Sequence, residues 1–323
     1  MPMNVAVCAI VKDEGRFLLE WVSYYVAIGV DSFILYDNGS TDGSIDLLMK
    51  LGTKLDVTLI SWPSPSSVHS FEYSEVYDAL DQISDAAACD WEASIWFSPQ
   101  IAAYNHALAN FGPRHDWILF VDADEFLVPI RDRSIKDVIA RCAGRDEVGA
   151  IAVNEKYFGS SGRDRYEDRP VIERFTRCAP PRFDGHLHIK TLVRPSKTAL
   201  MFIHGAKLRD GVTVNDLGET ITVEAYAFSP AISMYYAQLN HYSVKSREEF
   251  ALKKAKGRAH VADDHIAKFA DMDDAYFRRQ DRNEDTDLSI QRFLAATLHN
   301  MAVLRTECGL AGSVPETESA AAG

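Results

Sequence analysis

The chain has 323 residues, 47% of them hydrophobic and 25% charged, with a formal net charge of −13. This is the composition of an ordinary globular protein with room for one large domain and a smaller one. The acidic balance excludes a general nucleic-acid binder, whose phosphate contacts need a basic surface, but allows a small anionic ligand held by a few local Lys and Arg.

The first strand is expected at "NVAVCAIV" (4–11), a nearly continuous apolar run of the kind parallel sheets bury on both faces. A helix follows, because Phe17, Leu18, Trp21, Val22, Tyr25 and Val26 recur at helical spacing. "DSFILYD" (31–37) reads as the second strand, and "NGSTDGSIDLLMKLG" as a turn and helix with Asp42 or Ser40 as cap and Gly52 as stop. "LDVTLIS" (55–61) is the third strand. Strand and helix alternating at this rhythm predict right-handed βαβ units and a mostly parallel sheet.

Residues 61–99 break the rhythm: they contain no Lys or Arg, seven acidic residues and the Pro- and Ser-rich "SWPSPSS". This reads as an inserted loop with one acidic amphipathic helix, either a surface elaboration or a lid. A helix at 99–112 and a buried strand at 116–122 follow. Beyond about 148 the pattern changes to short strand candidates at 148–154, 171–177, 188–194 and 199–203, read as antiparallel or mixed sheet. Helices are expected at 246–259 and 287–307, and the tail "AGSVPETESAAAG" should be disordered. The expected organisation is a catalytic domain over 1–225, a helical extension over 226–310 and the tail 311–323.

Five cysteines, Cys8, Cys89, Cys142, Cys178 and Cys308, form no CxxC pair, which favours a reduced cytoplasmic chain over a disulfide framework. No basic leader precedes a long apolar run, and no apolar run approaches a membrane span. Neither a signal peptide nor a transmembrane helix is expected, while peripheral attachment at the inner membrane face stays open.

"LFVDADEFLVP" (119–129) sets Asp122, Asp124 and Glu125 between two apolar runs, at the carboxyl end of a strand where open α/β sheets place ligands. Unpaired charge there is costly, so a positive partner is expected. Two aspartates one residue apart can point into one loop cavity and suit Mg²⁺ or Mn²⁺ with a substrate phosphate. The bland reading is a helix cap and a surface salt bridge. An aspartate nucleophile of the haloacid-dehalogenase type fits poorly, because that motif sits on a first strand and continues with Thr or Val, not Glu125-Phe126.

Several segments then fall into one pattern. "AIVKDEGRFLLEWVSYYVAIGVDSFILYDNGSTDGS", Gln100 with "YNHAL", and "DWILFVDADEFL" resemble the GT-A glycosyltransferases of the family 2 type, most of all the branch that includes glycosyltransferase family 92. "KYFGSSG", "VIERFTRC", "HIKTLVRP", "FIHGA" and "NHYSVKSREEFALKKAKGR" fit that branch too, so the likeness runs in order over roughly residues 4–260. It departs at 61–99, which is longer than the family pattern and bears on the acceptor and lid rather than the donor.

The resemblance implies a GT-A fold, a divalent metal and a nucleotide-sugar donor, usually a UDP-sugar, from which a hexosyl group passes to a glycan, lipid-linked or other hydroxyl acceptor. It places Lys12, Asp13 and Glu14 beside the nucleotide, Asp37 at the base or ribose, and Gln100 and Tyr104 along the uridine pocket. Asp122 would face the ribose or the metal's water, and Asp124 would ligate the metal. A distant histidine completes many such sites; His204 leads His241 here, with His186 and His188 a further pair on one strand face. Lys190, Arg194, Lys245 and Arg247 are candidates to neutralise the diphosphate. An inverting transfer needs a carboxylate base, and Glu155, Asp164 and Glu173 follow the acidic motif, Asp164 favoured by its loop position. The competing readings are a non-catalytic nucleotide- or glycan-binding protein of the same fold and a nucleotidyltransferase. The latter lacks its Gly-rich loop, since "VKDEGRF" has one glycine.

Overall fold

The computed structural model describes residues 2–62, 98–256 and 273–310. The helix and lid expected within 61–99 and the tail from 311 lie outside the described residues, apart from the ends of the former.

β1 (Val5–Val11), α1 (Gly15–Ala27), β2 (Ser32–Asp37), α2 (Ser44–Leu51) and β3 (Asp56–Ser61) form the expected βαβ start. α3 (Pro99–Asn110) and β4 (Trp117–Phe120) follow, and β5 (Glu125–Pro129), α4 (Ile135–Cys142) and β6 (Val148–Tyr157) come next. The chain continues through α5 (Val171–Arg174), β7 (Arg177–Cys178), β8 (Ile189–Val193), β9 (Thr198–Met201), β10 (Ala206–Leu208), β11 (Val212–Val214) and β12 (Thr220–Ile221). It ends with β13 (Ala237–His241), α6 (Arg247–Lys256), α7 (Asp274–Gln280), β14 (Asp285–Thr286) and α8 (Leu294–Glu307).

The sheet runs β12-β11-β6-β8-β4-β1-β2-β3. β3, β2, β1 and β4 are mutually parallel, and β8 lies antiparallel between β4 and β6. The α/β class and the mostly parallel sheet flanked by helices are therefore present. Alternate residues of β1 feed the two faces. Val5, Val7, Ala9 and Val11 join one core with Leu18, Trp21 and Tyr25, while Ala6, Cys8 and Ile10 join the other with Tyr104. Because β1, β2 and β4 run the same way, Lys12, Asp37 and Asp122 emerge at one edge.

Three differences from the expected elements matter for the site. The apolar run after the acidic motif is a strand: β5 pairs antiparallel with β13, which also pairs in parallel with β6. The segment after 225 is thus part sheet, not helix alone. The strand expected at 171–177 is instead α5 and a two-residue strand. Its first turn is held by Glu20 of α1, whose carboxylate accepts the N–H groups of Val171 (2.8 Å) and Ile172 (3.0 Å). The expected helix at 287–307 is a 3-10 turn at Ser289–Phe293 followed by α8. No helix among the described residues is long and apolar enough to cross a membrane.

Two ionic contacts, one buried and one half-buried, fix the carboxyl half. Arg174 pairs with Glu249 of α6 through two parallel hydrogen bonds of 2.9 and 2.8 Å. The Asp287 carboxylate meets Lys156 of β6 and accepts from Gln238 of β13 (3.0 Å) and from the Ser289 N–H (2.7 Å). Burial pushes the Asp287 carboxyl up, but Lys156, Ser289 and Gln238 more than offset this and bring it down to about 2.

Arg174→Leu leaves Glu249 buried without its partner and should cost about 3–5 kcal/mol in urea unfolding; a loss under about 1 kcal/mol would show that the pair does not anchor α6. Asp287 has a depressed folded pKa, so its stabilisation is present above the usual carboxylate range and lost as pH falls through it. The stability gap between the wild type and Asp287→Asn should shrink from about pH 4 downward. A gap that stays constant down to the acid transition would contradict that assignment.

Candidate metal and nucleotide site

The loop after β4 packs charge against charge. Asp122 Oδ2 lies 2.9 Å from the Lys190 ammonium, and Asp122 Oδ1 accepts from Gln100 Nε2 at 2.6 Å. Gln100 also donates to the Tyr104 hydroxyl (2.8 Å), which donates to the Val121 carbonyl (3.3 Å). Gln100 and Tyr104, one helical turn apart on α3, thus share a face as their spacing suggested, but that face holds the acidic loop. Glu125 folds back, its Oε2 accepting the Asp122 N–H at 2.9 Å and lying 3.5 Å from Lys190. From below, Trp21 Nε1 and the Tyr25 hydroxyl both donate to the Glu125 carbonyl at 3.0 Å. The aromatic stripe of α1 is therefore what holds the acidic loop in place.

Asp124 faces the other way. Its Oδ2 takes a 2.5 Å hydrogen bond from Lys253 of α6, and its Oδ1 lies 3.8 Å from His241 Nε2. The Tyr242 N–H fixes the Asp124 carbonyl at 2.9 Å, which ties the loop to the end of β13. Glu155 of β6, 1% exposed, receives His241 Nδ1 at Oε2 (3.0 Å). His204 Nδ1 lies 3.4 Å from Glu155 Oε1 but hydrogen-bonds to the Ile189 carbonyl (3.2 Å), leaving Glu155 Oε1 and Glu125 Oε1 buried without hydrogen-bond partners.

The protonation pattern follows from these neighbours. Burial pushes the Asp124 carboxyl up, but Lys253, His241 and Lys245 outweigh it and hold it far below the usual range. Burial likewise opposes ionisation of Asp122 and Glu155, but Lys190 keeps the first depressed and the two imidazoles keep the second depressed. Glu125 goes the other way: burial, with Asp122 and Glu155 nearby, raises it well above the ordinary value despite Lys190. His241 is lifted to about 9, since its bond to Glu155 and the field of Asp124 overcome burial. Ionised Asp122, Asp124 and Glu155 are thus matched by Lys190, Lys253 and His241, while Glu125 is pushed toward its neutral form.

The donor set fits a divalent cation. Glu125, Glu155 and His241 offer ligand atoms within 4.8 Å of one another. That space is taken by the His241–Glu155 hydrogen bond itself, and Asp124 Oδ1 lies 3.8 Å from the other ring nitrogen, His241 Nε2. A carboxylate oxygen with an imidazole nitrogen that has given up its proton suits Mn²⁺ or Mg²⁺ completed by phosphate and water. The ammonium already on Asp124 shows that the position accepts positive charge. Glu155 orients the imidazole so that Nε2 faces Asp124, as second carboxylates do in metal–histidine sites.

The expected residues divide accordingly. His241, not His204, faces Asp124; His204 meets the cluster only through Glu155. Both oxygens of Asp122 are already hydrogen-bonded, so it braces the loop, while Asp124 turns Oδ1 toward His241 Nε2. Lys190 is 0% exposed and its ammonium is engaged by Asp122 and lies near Glu125, so it does not reach a diphosphate. Arg194 stacks on Trp117, away from the cluster. The carboxylate of Asp37 accepts from Gly39 (3.0 Å) and Ser40 (3.2 Å) and so caps the turn after β2. Asp13, in the left-handed region (φ 51°), bonds the Thr41 N–H at 2.6 Å, and the Glu14 N–H bonds Ser44 Oγ at 3.0 Å. These contacts clamp the loop after β1, which begins at Lys12, to the turn before α2.

Asp13 and Glu14 also line a cavity of about 290 Å³ with Phe17, Lys245 and Lys253. Lys245 is buried, has φ 52° and lies over the Phe17 ring at 4.5 Å; burial lowers its pKa. A larger cleft of about 780 Å³ at the opposite edge, lined by Met3, Trp117, Arg194 and Arg209, holds none of the carboxylates.

Of the three candidate bases, Glu155 is excluded by burial and by its two imidazoles. Glu173 is paired with Arg169 at 2.5 Å, and the Asp164 carboxylate is 79% exposed and 3.6 Å from Arg247. The structure does not bring either to the Asp124 cluster. Sequence reasoning missed Lys253 and the structural part of Glu125. Nothing distinguishes Lys253 from Lys254 and Lys256 in "LKKAK", and only the facing of α6 selects it.

The chain matches glycosyltransferase family 92 over residues 2–271. A family 92 protein of Oryza sativa subsp. japonica is 25% identical over 267 residues, 80% of this chain and 37% of the relative. One from Ricinus communis is 24% identical over 258 residues, 78% of this chain and 37% of the relative. The chain thus spans little more than a third of the length of these relatives. Among solved structures, residues 1–349 of S. aureus TarS align over 94% of this chain and 73% of that one at 13% identity, with a TM-score of 0.39. A Mycobacterium tuberculosis glucosyl-3-phosphoglycerate synthase, solved with Mn²⁺, UDP and glucosyl-3-phosphoglycerate, aligns over 48% of this chain and 44% of that one at 12% identity and a TM-score of 0.25. Both scores are too low to inform the site. The family match spans both the loop after β1 and the Asp122–Glu125 cluster, and on it the chain belongs to glycosyltransferase family 92.

Proposed function

We propose that the chain transfers a sugar from a nucleotide diphosphate-sugar, a UDP-sugar, to a hydroxyl acceptor with the help of a divalent cation. The observation that carries this is the Asp124–His241 pair, 3.8 Å apart at the carboxyl edge of the sheet, beside a cavity holding Lys245. A bound Mn²⁺ or Mg²⁺ supplies Lewis-acid stabilisation of the charge that develops on the leaving diphosphate.

The chain's own groups do the rest. Asp124 and His241 hold the cation, and Glu155 holds His241. Lys190 and Gln100 keep Asp122 ionised and fixed beside the nucleotide. Lys245 sets positive charge where the diphosphate must lie. The same reading keeps the transfer inverting and keeps Asp164 as the candidate to take the acceptor proton, although it lies outside the Asp124 cluster, so the acceptor has to bridge the two. The acceptor is a glycan or a lipid-linked hydroxyl. A thermal-shift screen of nucleotide sugars with and without Mn²⁺ identifies the donor, because a ligand stabilises the fold by mass action.

Asp124→Ala should abolish Mn²⁺-dependent UDP binding measured by calorimetry while the fold is kept. Unchanged UDP affinity in Mn²⁺ would remove Asp124 from the site. Glu155→Gln should weaken Mn²⁺ binding by about 10–100-fold, because the imidazole loses its orienting carboxylate. Unchanged Mn²⁺ affinity in Glu155→Gln would contradict that orienting role.

A further inference from the structure

We propose that Lys253 is an exchangeable cation, bound to Asp124 in the metal-free protein and turned to the donor's diphosphate once a divalent cation takes Asp124. The proposal rests on the metal-dependent reading above and adds a coupling to it.

The Lys253 ammonium is held at two points, Asp124 Oδ2 at 2.5 Å and the Ser243 carbonyl at 3.0 Å. It therefore lies against the carboxylate that the metal needs, on the flank opposite His241. A divalent cation on Asp124 would sit a few ångströms from that ammonium, and two such charges repel strongly in a buried setting. One of them must leave.

The backbone of α6 is not free to carry the lysine away. Glu249 is pinned by Arg174, and the Ser246 N–H donates to Glu249 Oε2 at 3.1 Å. The movement belongs to the side chain, whose four-carbon stem can redirect the ammonium without moving the helix. The cavity that Lys253 lines also holds Lys245, which makes no ion pair among the described residues. Two lysines on one cavity wall, one of them released by the metal, provide the positive charge that a diphosphate requires.

The consequence is a linkage of defined sign. Lys253 competes with the metal when no nucleotide is present, and it favours the nucleotide once the metal is bound. A lysine with a purely structural role on Asp124 would not produce opposite effects on the two ligands.

The test is calorimetry on the full chain, wild type, Lys253→Met and Lys245→Met, with Mn²⁺ alone and then UDP in saturating Mn²⁺. Met keeps most of the stem, and thermal melts confirm folding. Lys253→Met should bind Mn²⁺ alone about tenfold more tightly and UDP about tenfold more weakly. Lys245→Met should weaken UDP with little change in Mn²⁺. Shifts of the same sign in Lys253→Met, or no shift in either ligand, overturn the exchange while the metal site stands. A wild type that binds neither Mn²⁺ nor UDP overturns both.

Discussion

Negative charge at the end of β4 has to be neutralised inside the protein, and the arrangement of the carboxyl edge follows from that. Asp124, Glu125 and Glu155 are buried and Asp122 is half-buried beside them. Carboxylates this close cannot all stay ionised without cations at hydrogen-bond distance. Lys190 supplies one charge from β8, His241 a second from β13 and Lys253 a third from α6. Glu125 is pushed toward its neutral form instead, because burial and the neighbouring Asp122 and Glu155 outweigh the Lys190 it shares with Asp122.

This requirement gives the sheet order a chemical meaning. An antiparallel β8 between β4 and β6 places Lys190 beside Asp122 and within reach of Glu125. β13, parallel to β6 and antiparallel to β5, sets His241 between Glu155 and Asp124. Asp287 ties the returning chain to β6 and β13, and the Arg174–Glu249 pair seats α6. Such ion pairs are weak evidence for stability on their own. Here they fix the strands and the helix that carry the histidine and the lysine.

Much of this was readable in the sequence where it depended on local pattern. β1, α1, β2, α2, β3, α3 and β4 show apolar runs of the right period between turn residues, and Asp124 follows from its place after a buried strand. The pairing of Gln100 with Tyr104 followed from their i, i+4 spacing. Choices made by distant contacts were not readable. "VIERF" alternates like a strand but becomes α5, because Glu20, far away in sequence, caps its first turn. β13 looked like a lead-in to helices, since its partners β5 and β6 lie some hundred residues earlier. His204 ends a strand candidate and His241 precedes a basic helix, and only the packing of β13 decides which one faces Asp124. Lys190 reads as a surface cation for a phosphate, yet its neighbours bury it.

The account rests on Asp124 and His241 holding one divalent cation beside the nucleotide. The most direct measurement is anomalous scattering from crystals of the protein grown with Mn²⁺ and UDP. The account predicts a single manganese peak about 2.1–2.2 Å from an Asp124 oxygen and from His241 Nε2, in contact with the diphosphate. A manganese held by Glu125 and Glu155 instead, or UDP bound at this edge with no manganese on Asp124, would contradict it.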